Sequence, residues 1–391
     1  MRILVINRFF GGDQVPTGRM LEDVTCALAA EGHDVIAVVS RGGYVTGHDN
    51  RDHQMQNVRL VRLLKLPFGG RALDWVTFWI QAAIVGPLLR WDRCILLTDP
   101  PLMTVFLPFW RLIGRRRRSI WLWTMDLYPE ALVASEVIRD QGFLERLLRR
   151  LNNSGLVQVH EVIALGDRQL ERLRNYSSLD KNQKNITVVP PWDHRSLAVQ
   201  KDASKGFAEK AGWQGNRVAL YAGNLGYGHR FEEIIDAARA AYKAELDWVF
   251  AFFVRGARKK ALIESARGLQ NVEVHDYVPP EETPALLCAA DIHLVTMAAG
   301  WDGVVVPSKL YGIEKTGAPV LFVGPESADT AREIQARRMG ETVGLGVSGK
   351  AMVDAMERAV ACNNLGYQRH AHTDRQGPEN PAEKIARLVT S

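Results

Sequence analysis

Three short segments combine glycine with charged side chains directly after apolar runs, a pattern typical of phosphate-binding loops at the ends of parallel strands. The first is Gly11-Gly12 with Thr17-Gly18, and the second is GNLGYGHR at residues 223–230. The third begins at Arg255-Gly256, and we interpret the charges of Arg258–Lys260 that follow as the solvated face of a helix. Backbone N–H groups at helix starts and nearby cations attract phosphate, which predicts diphosphate contacts at Gly18, Gly223, Arg230 and Arg255.

The segment GWDGVVVPSKLYG at residues 300–312 has the densest mixture of unusual residues in the chain. Gly303 permits a close backbone approach, Ser308 can cap a helix that begins at Lys309, and the charges of Asp302 and Lys309 flank that helix start. A sugar diphosphate needs these groups, because N–H donors and a cation bind phosphate and a carboxylate binds sugar hydroxyls. A plain helix cap with an adjacent lysine remains the alternative interpretation.

The elements that position these segments are apolar runs of four to six residues separated by helical stretches, which predicts parallel sheets covered on both faces. Strands are expected at 3–6, 33–40, 94–97, 120–123, 162–165 and 186–189, and again at 218–221, 248–253, 272–274, 292–295 and 320–323. The prediction is an α/β protein with Rossmann-like domains over residues 1–195 and 196–375. Residues 196–215 are the predicted linker, and residues 376–391 a terminal helix that packs back on the first domain.

Composition narrows the class of protein. A chain of 391 residues with 47% apolar and 24% charged residues is expected to fold as about two globular domains. Its four cysteines are far apart, which argues against a disulfide framework and a zinc knuckle. This spacing favours the cytoplasm, and no signal peptide is recognisable at the start of the sequence. No histidine has the spacing of a metal ligand, so we expect no bound metal. The pI is near 9.0, but the sequence contains no nucleic-acid-binding motif, so we expect no nucleic-acid partner.

A basic region lies beside apolar residues in the first half of the chain. The apolar segment 102–113 is followed by four consecutive arginines, and the predicted membrane or acceptor patch comprises Trp110, Arg111, Arg115, Arg116, Arg117 and Arg118. A core helix with a solvated end is an equal alternative. Residues 73–89 are too short and too polar for the roughly 20 apolar residues of a membrane span, so we expect a helix packed on the sheet.

Four motifs in order resemble glycosyltransferase family 4. They are GNLG at 223–226, DIHLV at 291–295, VPSKLYG at 306–312 and GAPV at 317–320. In the first half, EGHDV at 31–35, DPPL at 99–102 and DLYPE at 126–130 are similar to the bacterial exopolysaccharide and colanic-acid-type members. The resemblance implies the GT-B fold, with two Rossmann-like domains facing a central cleft.

The resemblance also implies retaining transfer of a sugar from UDP or GDP, held by the second domain, to an acceptor hydroxyl, with a lipid-linked saccharide as the expected acceptor. The nucleotide sugar is a co-substrate and no cofactor is required. The family's two basic diphosphate residues fall at Asn224 and Arg230, and Lys309 is the expected replacement for the missing charge. Its paired glutamates fall at Val304 and Gly312, where this chain has no carboxylate.

Substitutes for the missing glutamates complete the predicted site. The sugar or nucleoside contacts are expected at Asp302, Gly303, Ser308, Glu314 and Tyr277, with Asp302 and Asp126 as catalytic residues. Asp126 follows a predicted strand and would orient or deprotonate the acceptor. Three alternatives remain: a soluble or protein acceptor, a nucleotide-sugar epimerase, and a non-catalytic nucleotide-sugar-binding protein.

Overall fold

The computed structural model describes residues 1–11, 16–41, 57–65, 70–112, 119–180, 184–193, 201–364 and 380–391. These form two compact units: unit 1 comprises Met1–Trp192, Gly303–Val306 and Gln376–Ser391, and unit 2 comprises Asp193–Asp302 and Pro307–Arg375. The boundaries expected at 195/196 and 375/376 fall outside the described ranges and stay predictions.

Unit 1 is built on a seven-stranded parallel sheet with the order β3-β2-β1-β4-β5-β6-β7. Because β1 pairs with both β2 and β4, Ile3 and Leu4 lie in the middle of the sheet and are fully buried. The strands are β1 (Arg2–Ile6), β2 (Asp34–Ser40), β3 (Val58–Leu63), β4 (Arg93–Leu97), β5 (Ser119–Trp123), β6 (Glu161–Ala164) and β7 (Ile186–Val188).

Helices cover both faces of this sheet, since side chains alternate across each strand. They are α1 (Pro16–Ala30), α2 (Gly70–Leu88), α3 (Leu107–Leu112) with a preceding 3-10 turn (Met103–Phe106), α4 (Glu130–Ala134), α5 (Phe143–Leu156), α6 (Asp167–Arg174) and α7 (Ser177–Asp180). Leu4 and Ile6 share one core with residues of α2, α3 and α5, whereas Ile3 and Val5 share the other with α1.

Unit 2 is built on a six-stranded parallel sheet with the order β10-β9-β8-β11-β12-β13. The strands are β8 (Arg217–Asn224), β9 (Trp248–Arg255), β10 (Val272–His275), β11 (Ile292–Thr296), β12 (Val320–Val323) and β13 (Gly340–Val343). The helices are α8 (Lys201–Lys210), α9 (Glu232–Lys243), α10 (Lys259–Ser265), α11 (Thr283–Cys288), α12 (Lys309–Glu314), α13 (Asp329–Ala336) and α14 (Gly349–Asn364).

The last helix, α15 (Pro381–Thr390), belongs to unit 1. Its residues Ile385 and Val389 are fully buried in the same core as Leu21 and Val24 of α1. Arg93 at the start of β4 donates to the carbonyl of Val389. The core on this face of the sheet therefore depends on residues from both α1 and α15.

The structure confirms two parallel α/β sheets and differs from the expectation in two details. Strands β3 and β13 were not predicted. Both lie at sheet edges and are only partly buried, so neither has the continuous apolar sequence of a central strand. The predicted linker at 196–215 contains helix α8, whose Phe207 packs in a core with Trp213. Over the residues that the structure describes, no helix is long and apolar enough to cross a membrane.

Candidate active site

The strand order in unit 2 reverses between β8 and β11, which is where open α/β sheets bind ligands. The loop 223–230 follows β8, and Thr296 ends β11. The loop is fastened across this point because the Arg230 N–H donates to Thr296 Oγ1 at 3.1 Å and the Ala298 N–H donates to the Gly228 carbonyl at 2.9 Å. The loop 223–230 therefore starts at the reversal, whereas Arg255-Gly256 follows β9, on the other side of β8.

Lys309 places a buried cation at this reversal. Its Nζ is buried and has no hydrogen-bond partner among the described residues. It lies 3.9 Å from the ring centroid of Tyr221 and 3.8 Å from the position that a Cβ on Gly223 would occupy. Burial lowers the pKa of Lys309 to about 7. An ammonium with three unused donors is the group that an anionic ligand would satisfy.

His229 lies next to this cation but carries no charge of its own. Burial, and then the charge of Lys309, lower the pKa of His229 to about 3. The imidazole Nδ1 is 3.0 Å from the Thr296 carbonyl oxygen, which can only accept a hydrogen bond, so Nδ1 is the donor. His229 therefore holds the loop to β11 as a neutral side chain.

Arg230, the cation that the sequence analysis favoured, is already paired. Its Nε donates to both carboxylate oxygens of Glu233, at 2.9 and 3.0 Å. Glu233 is buried and also accepts the Gly346 N–H at 3.1 Å. Glu232 and Glu233 occupy the first turn of α9 and complement its dipole. A diphosphate contact for Arg230 stays a prediction, whereas Lys309 is the cation without a counter-charge.

Two predicted residues, Arg255 and Tyr277, lie on the other side of β8, next to Asn224 at the end of β8. Arg255 is opposite Asn224 in the register of β8 and β9, and its guanidinium carbon is 4.6 Å from the ring centroid of Tyr277. A Cβ on Gly256 would lie 2.7 Å from Asn224 Oδ1, so the close approach of the two loops requires glycine. The structure brings together the predicted diphosphate contacts Asn224 and Arg255 and the predicted nucleoside contact Tyr277.

Arg258 corrects the interpretation of a solvated charge run. Its Nη1 donates to the His229 carbonyl at 2.6 Å, and its Nη2 pairs with Glu232. Lys259 pairs with Asp276 at 2.7 Å. Arg258 thus links the loop after β9 to the loop after β8.

The segment 302–314 departs from the prediction at two residues. Ser308 makes no side-chain capping bond to α12, so the predicted cap is wrong. Glu314 is already paired with Arg337 at 2.9 Å and lies about 140° around α12 from Lys309, and a sugar or nucleoside contact at Glu314 stays a prediction. Asp302 Oδ2 accepts the hydroxyl of Ser327 at 2.8 Å.

Gly303 has a packing role in unit 1. Its φ is +69°, and an added Cβ would lie 2.6 Å from the carbonyl oxygen of Arg168. The next carbonyl, of Val304, accepts the N–H of Leu127 at 3.0 Å. The close backbone approach that glycine permits here is therefore made by the protein itself, and a sugar contact at Gly303 stays a prediction.

Unit 1 gathers charged residues at its own strand reversal, between β1 and β4. Arg8 follows β1 and Asp99 follows β4, and Arg8 Nη2 is 3.3 Å from Asp99 Oδ1. Asp126 follows β5 and is accessible, yet the protein around it removes hydration and, with the charge of Asp99, raises its pKa to about 6. Such a carboxyl group can exchange a proton near neutral pH.

Arg8 and Asp99 were missed as site residues, although the signal was present. Each lies two residues after an apolar run, close to the end of a predicted strand, which is the positional rule that selected Asp126. Gly18 is buried in α1, where an added Cβ would lie 3.3 Å from the Phe10 nitrogen. Its predicted diphosphate contact is therefore in unit 1, whereas the other predicted diphosphate contacts are in unit 2.

The predicted membrane patch is wrong at Trp110. This side chain is buried in the core of unit 1, and its Nε1 donates to the Ala83 carbonyl at 2.9 Å. Arg111 is exposed, and Arg115–Arg118 lie outside the described residues. In the described ranges, His, Cys, Asp and Glu form no group of three or more that could hold a metal ion.

Known proteins with similar sequences are glycosyltransferases. The chain is 25% identical over 351 residues to the probable glycosyltransferase WbjE of Pseudomonas aeruginosa, covering 87% of this chain and 84% of that protein. It is 35% identical over 108 residues to the putative colanic acid biosynthesis glycosyl transferase WcaI of Escherichia coli (strain K12), which covers 27% of this chain and 26% of that protein. No family model matches the chain.

Solved structures with the same fold span the whole chain. The structure of WaaG, a glycosyltransferase involved in lipopolysaccharide biosynthesis, aligns with a TM-score of 0.67 at 16% identity and covers 100% of both chains. The structure of Anabaena Alr3699/HepE in complex with UDP and glucose aligns with a TM-score of 0.61 at 15% identity, over 100% of this chain and 95% of that one.

The two parallel sheets and the solved structures with the same fold define the GT-B fold, and the similar sequences make the chain a glycosyltransferase. The resemblance found in the motifs is thereby confirmed. The protein is a glycosyltransferase similar to those of family 4.

Proposed function

We propose that this enzyme transfers a sugar from UDP or GDP, with retention of configuration, to a lipid-linked saccharide in bacterial surface polysaccharide synthesis. The observation that carries the proposal is Lys309, a buried ammonium without a hydrogen-bond partner among the described residues, at the strand reversal of unit 2. The UDP and glucose bound in the HepE structure support the donor class, and the names of the WcaI and WaaG proteins support the pathway.

The donor contacts follow from the arrangement in unit 2. Lys309 binds the diphosphate from beneath the loop that contains Gly223 and Asn224. Arg255 and Tyr277, which stack on each other, form the side toward the nucleoside. Asp302 binds a sugar hydroxyl in this proposal, because its carboxylate is held in place by Ser327 at 2.8 Å.

The proposed chemistry is a reaction on one face of the sugar. The bond from the anomeric carbon to the diphosphate oxygen breaks, and the acceptor oxygen bonds to the same face of that carbon. The departing diphosphate oxygen takes the acceptor proton, and Lys309 stabilises the negative charge that develops there. Asp126 accepts a hydrogen bond from the acceptor hydroxyl and orients it for attack.

The acceptor is the finer part of the proposal. A lipid-linked saccharide would reach the enzyme at the cytoplasmic face of the membrane, where an anionic lipid surface attracts exposed arginines such as Arg111. A soluble acceptor would need no such surface. The release of nucleoside diphosphate in the presence of each acceptor class therefore tests this part directly.

The donor site is tested with two lysine variants. Lys309→Met removes the buried ammonium, and Lys350→Met is the matched control because Lys350 is exposed on α14. We expect UDP or GDP sugars to raise the melting temperature of the native enzyme and of the control but not of Lys309→Met. An equal shift in all three proteins would show that the nucleotide binds elsewhere.

A further inference from the structure

Helix α5 is oriented with its polar side toward the protein. Glu145 is buried and pairs with Arg149 at 2.6 Å, while Asn152 donates to the carbonyl of Tyr128 at 2.9 Å. On the outer side Phe143, Leu144, Leu147 and Leu151 are exposed, Phe143 by 79%. A surface helix normally has the opposite orientation, so the outward apolar side of α5 needs an explanation outside the described chain.

Helix α2 adds a second apolar stripe. Phe78 and Ala82 face the core, whereas Ile80 and Ile84, each two positions on and about 200° around the helix, are exposed. The exposed series is Leu73, Val76, Ile80, Ile84 and Leu88, at the three- and four-residue spacing of one helical face and about 22 Å long.

Helix α3 lies in the same layer as α2 and α5. The buried Trp110 of α3 donates to a carbonyl of α2, and Phe106, just before α3, stacks edge-on against Trp79 of α2. All three helices contribute to one core on one face of the sheet of unit 1. On α3, Phe109 and Leu112 are exposed, Leu112 by 78%.

The charges on this helical layer have one sign. Among the side chains that the structure describes on α2, α3 and α5, the exposed charged residues are Arg111, Arg146 and Arg150. The acidic residues do not compete, because Glu145 is buried and Asp74 pairs with Lys65 at 3.7 Å. Protruding apolar side chains among arginines are complementary to an anionic lipid bilayer, in which the apolar groups enter the acyl boundary and the guanidinium groups bind phosphates.

We infer that the outer face of α2, α3 and α5 is a docking surface for an anionic lipid bilayer. It differs from the predicted patch at 110–118, since most of its apolar residues come from α2 and α5. The inference rests on the proposed function, because it names the surface that would bring unit 1 to a lipid-linked acceptor. The exposed stripes would lie along the bilayer plane, and none of the helices that the structure describes is long and apolar enough to cross it.

Vesicle sedimentation tests the surface with two double variants and one control. Ile80→Glu/Ile84→Glu and Leu147→Glu/Leu151→Glu place carboxylates on α2 and α5, and Ile263→Glu alters an equally exposed isoleucine of unit 2. With vesicles of phosphatidylethanolamine and phosphatidylglycerol, we expect each double variant to bind at least about tenfold more weakly than the native enzyme. Ile263→Glu should bind as the native enzyme does, and phosphatidylcholine vesicles should bind the native enzyme less.

The outcomes separate this inference from the proposed reaction. Calorimetric binding of a nucleotide sugar tests the Lys309 site and should be unchanged in both double variants. In the native enzyme, nucleotide-sugar binding without vesicle binding would overturn the docking surface alone, and vesicle binding without nucleotide-sugar binding would overturn the donor site alone. Vesicle binding by the double variants equal to that of the native enzyme would also overturn the docking surface. If sedimentation velocity shows a dimer that the double variants dissociate, and vesicles are not bound, a second copy covers this face and the inference is wrong.

Discussion

Donor binding should take up a proton at Lys309. With a pKa of about 7 and no counter-charge, this lysine is about half protonated at pH 7 in the free enzyme. A bound diphosphate supplies the missing counter-charge and returns the pKa toward its ordinary range near 10.4. The bound state therefore holds more protons than the free state at every pH between these values.

The magnitude follows from linkage. Proton uptake on binding should be about 0.5 at pH 7 and about 0.9 at pH 8. Affinity should therefore fall about fivefold from pH 7 to pH 8 and nearly tenfold from pH 8 to pH 9. Below about pH 6 the lysine is already protonated and affinity should level off. The folding stability of the ligand-free enzyme changes with pH in the opposite direction to ligand affinity. Lys309 binds its proton more tightly in the unfolded state, so its contribution to stability rises with pH from about 7 to 10.

The assay is titration calorimetry with a nucleotide sugar in two buffers of different ionisation enthalpy. A nucleotide sugar is the right ligand because its esterified diphosphate does not titrate in this range. Lys309→Met should bind weakly with no proton uptake, and Lys350→Met should behave as the native enzyme. Tight binding at pH 8 without proton uptake, or an unchanged pH slope in Lys309→Met, would refute the reasoning.

Three further predictions concern residues on both units. Arg230→Ala should lower the free energy of unfolding by about 2 kcal/mol in a denaturant titration, because buried Glu233 loses its cationic partner and keeps only the Gly346 N–H; the partial exposure of Arg230 reduces the full effect. An unchanged midpoint would contradict this. Asp126→Asn should reduce turnover at least about tenfold while nucleotide-sugar affinity is retained, and turnover equal to that of the native enzyme would exclude Asp126 from orienting the acceptor. The activity of the native enzyme should fall as pH drops below about 6, where Asp126 becomes protonated. Gly303→Ala should destabilise unit 1 by about 1–3 kcal/mol, measured by thermal unfolding, because of its positive φ and its approach to Arg168; an equal melting temperature would remove that packing role.

The central strands could be predicted from the sequence because they are buried on both faces. Ile3–Ile6 and Trp248–Phe253 are continuous apolar runs, which only a doubly covered sheet requires. Two of the edge strands, β3 and β13, were not predicted, since the arginines of β3 and the Gly340-Glu341 start of β13 are typical of a loop. Their strand character comes from pairing with a neighbour already in place.

The site was predictable by position but not by electrostatic state. Lys309 could be found from its segment. Its burial against the ring of Tyr221, which is 88 positions earlier in the chain, depends on the tertiary fold and could not. The pairing of Arg230 with Glu233 is local and could have been recognised as an i,i+3 pair. The orientation of α5 could not be predicted, because the same amphipathic period fits a helix with either side toward the protein.

The location of α15 sets an order on synthesis. Unit 1 needs Gly303–Val306 and the buried face of α15, although its last strand ends at Val188. At about 5–20 residues per second, about 10–40 s pass between β7 and α15 on the ribosome. Through that interval the apolar face of α1 that later meets Ile385 and Val389 is uncovered while unit 2 is being made. Synthesis of unit 1 therefore begins before that of unit 2 and is completed after it. The apolar face of α1 remains without its partner helix α15 until unit 2 has been made.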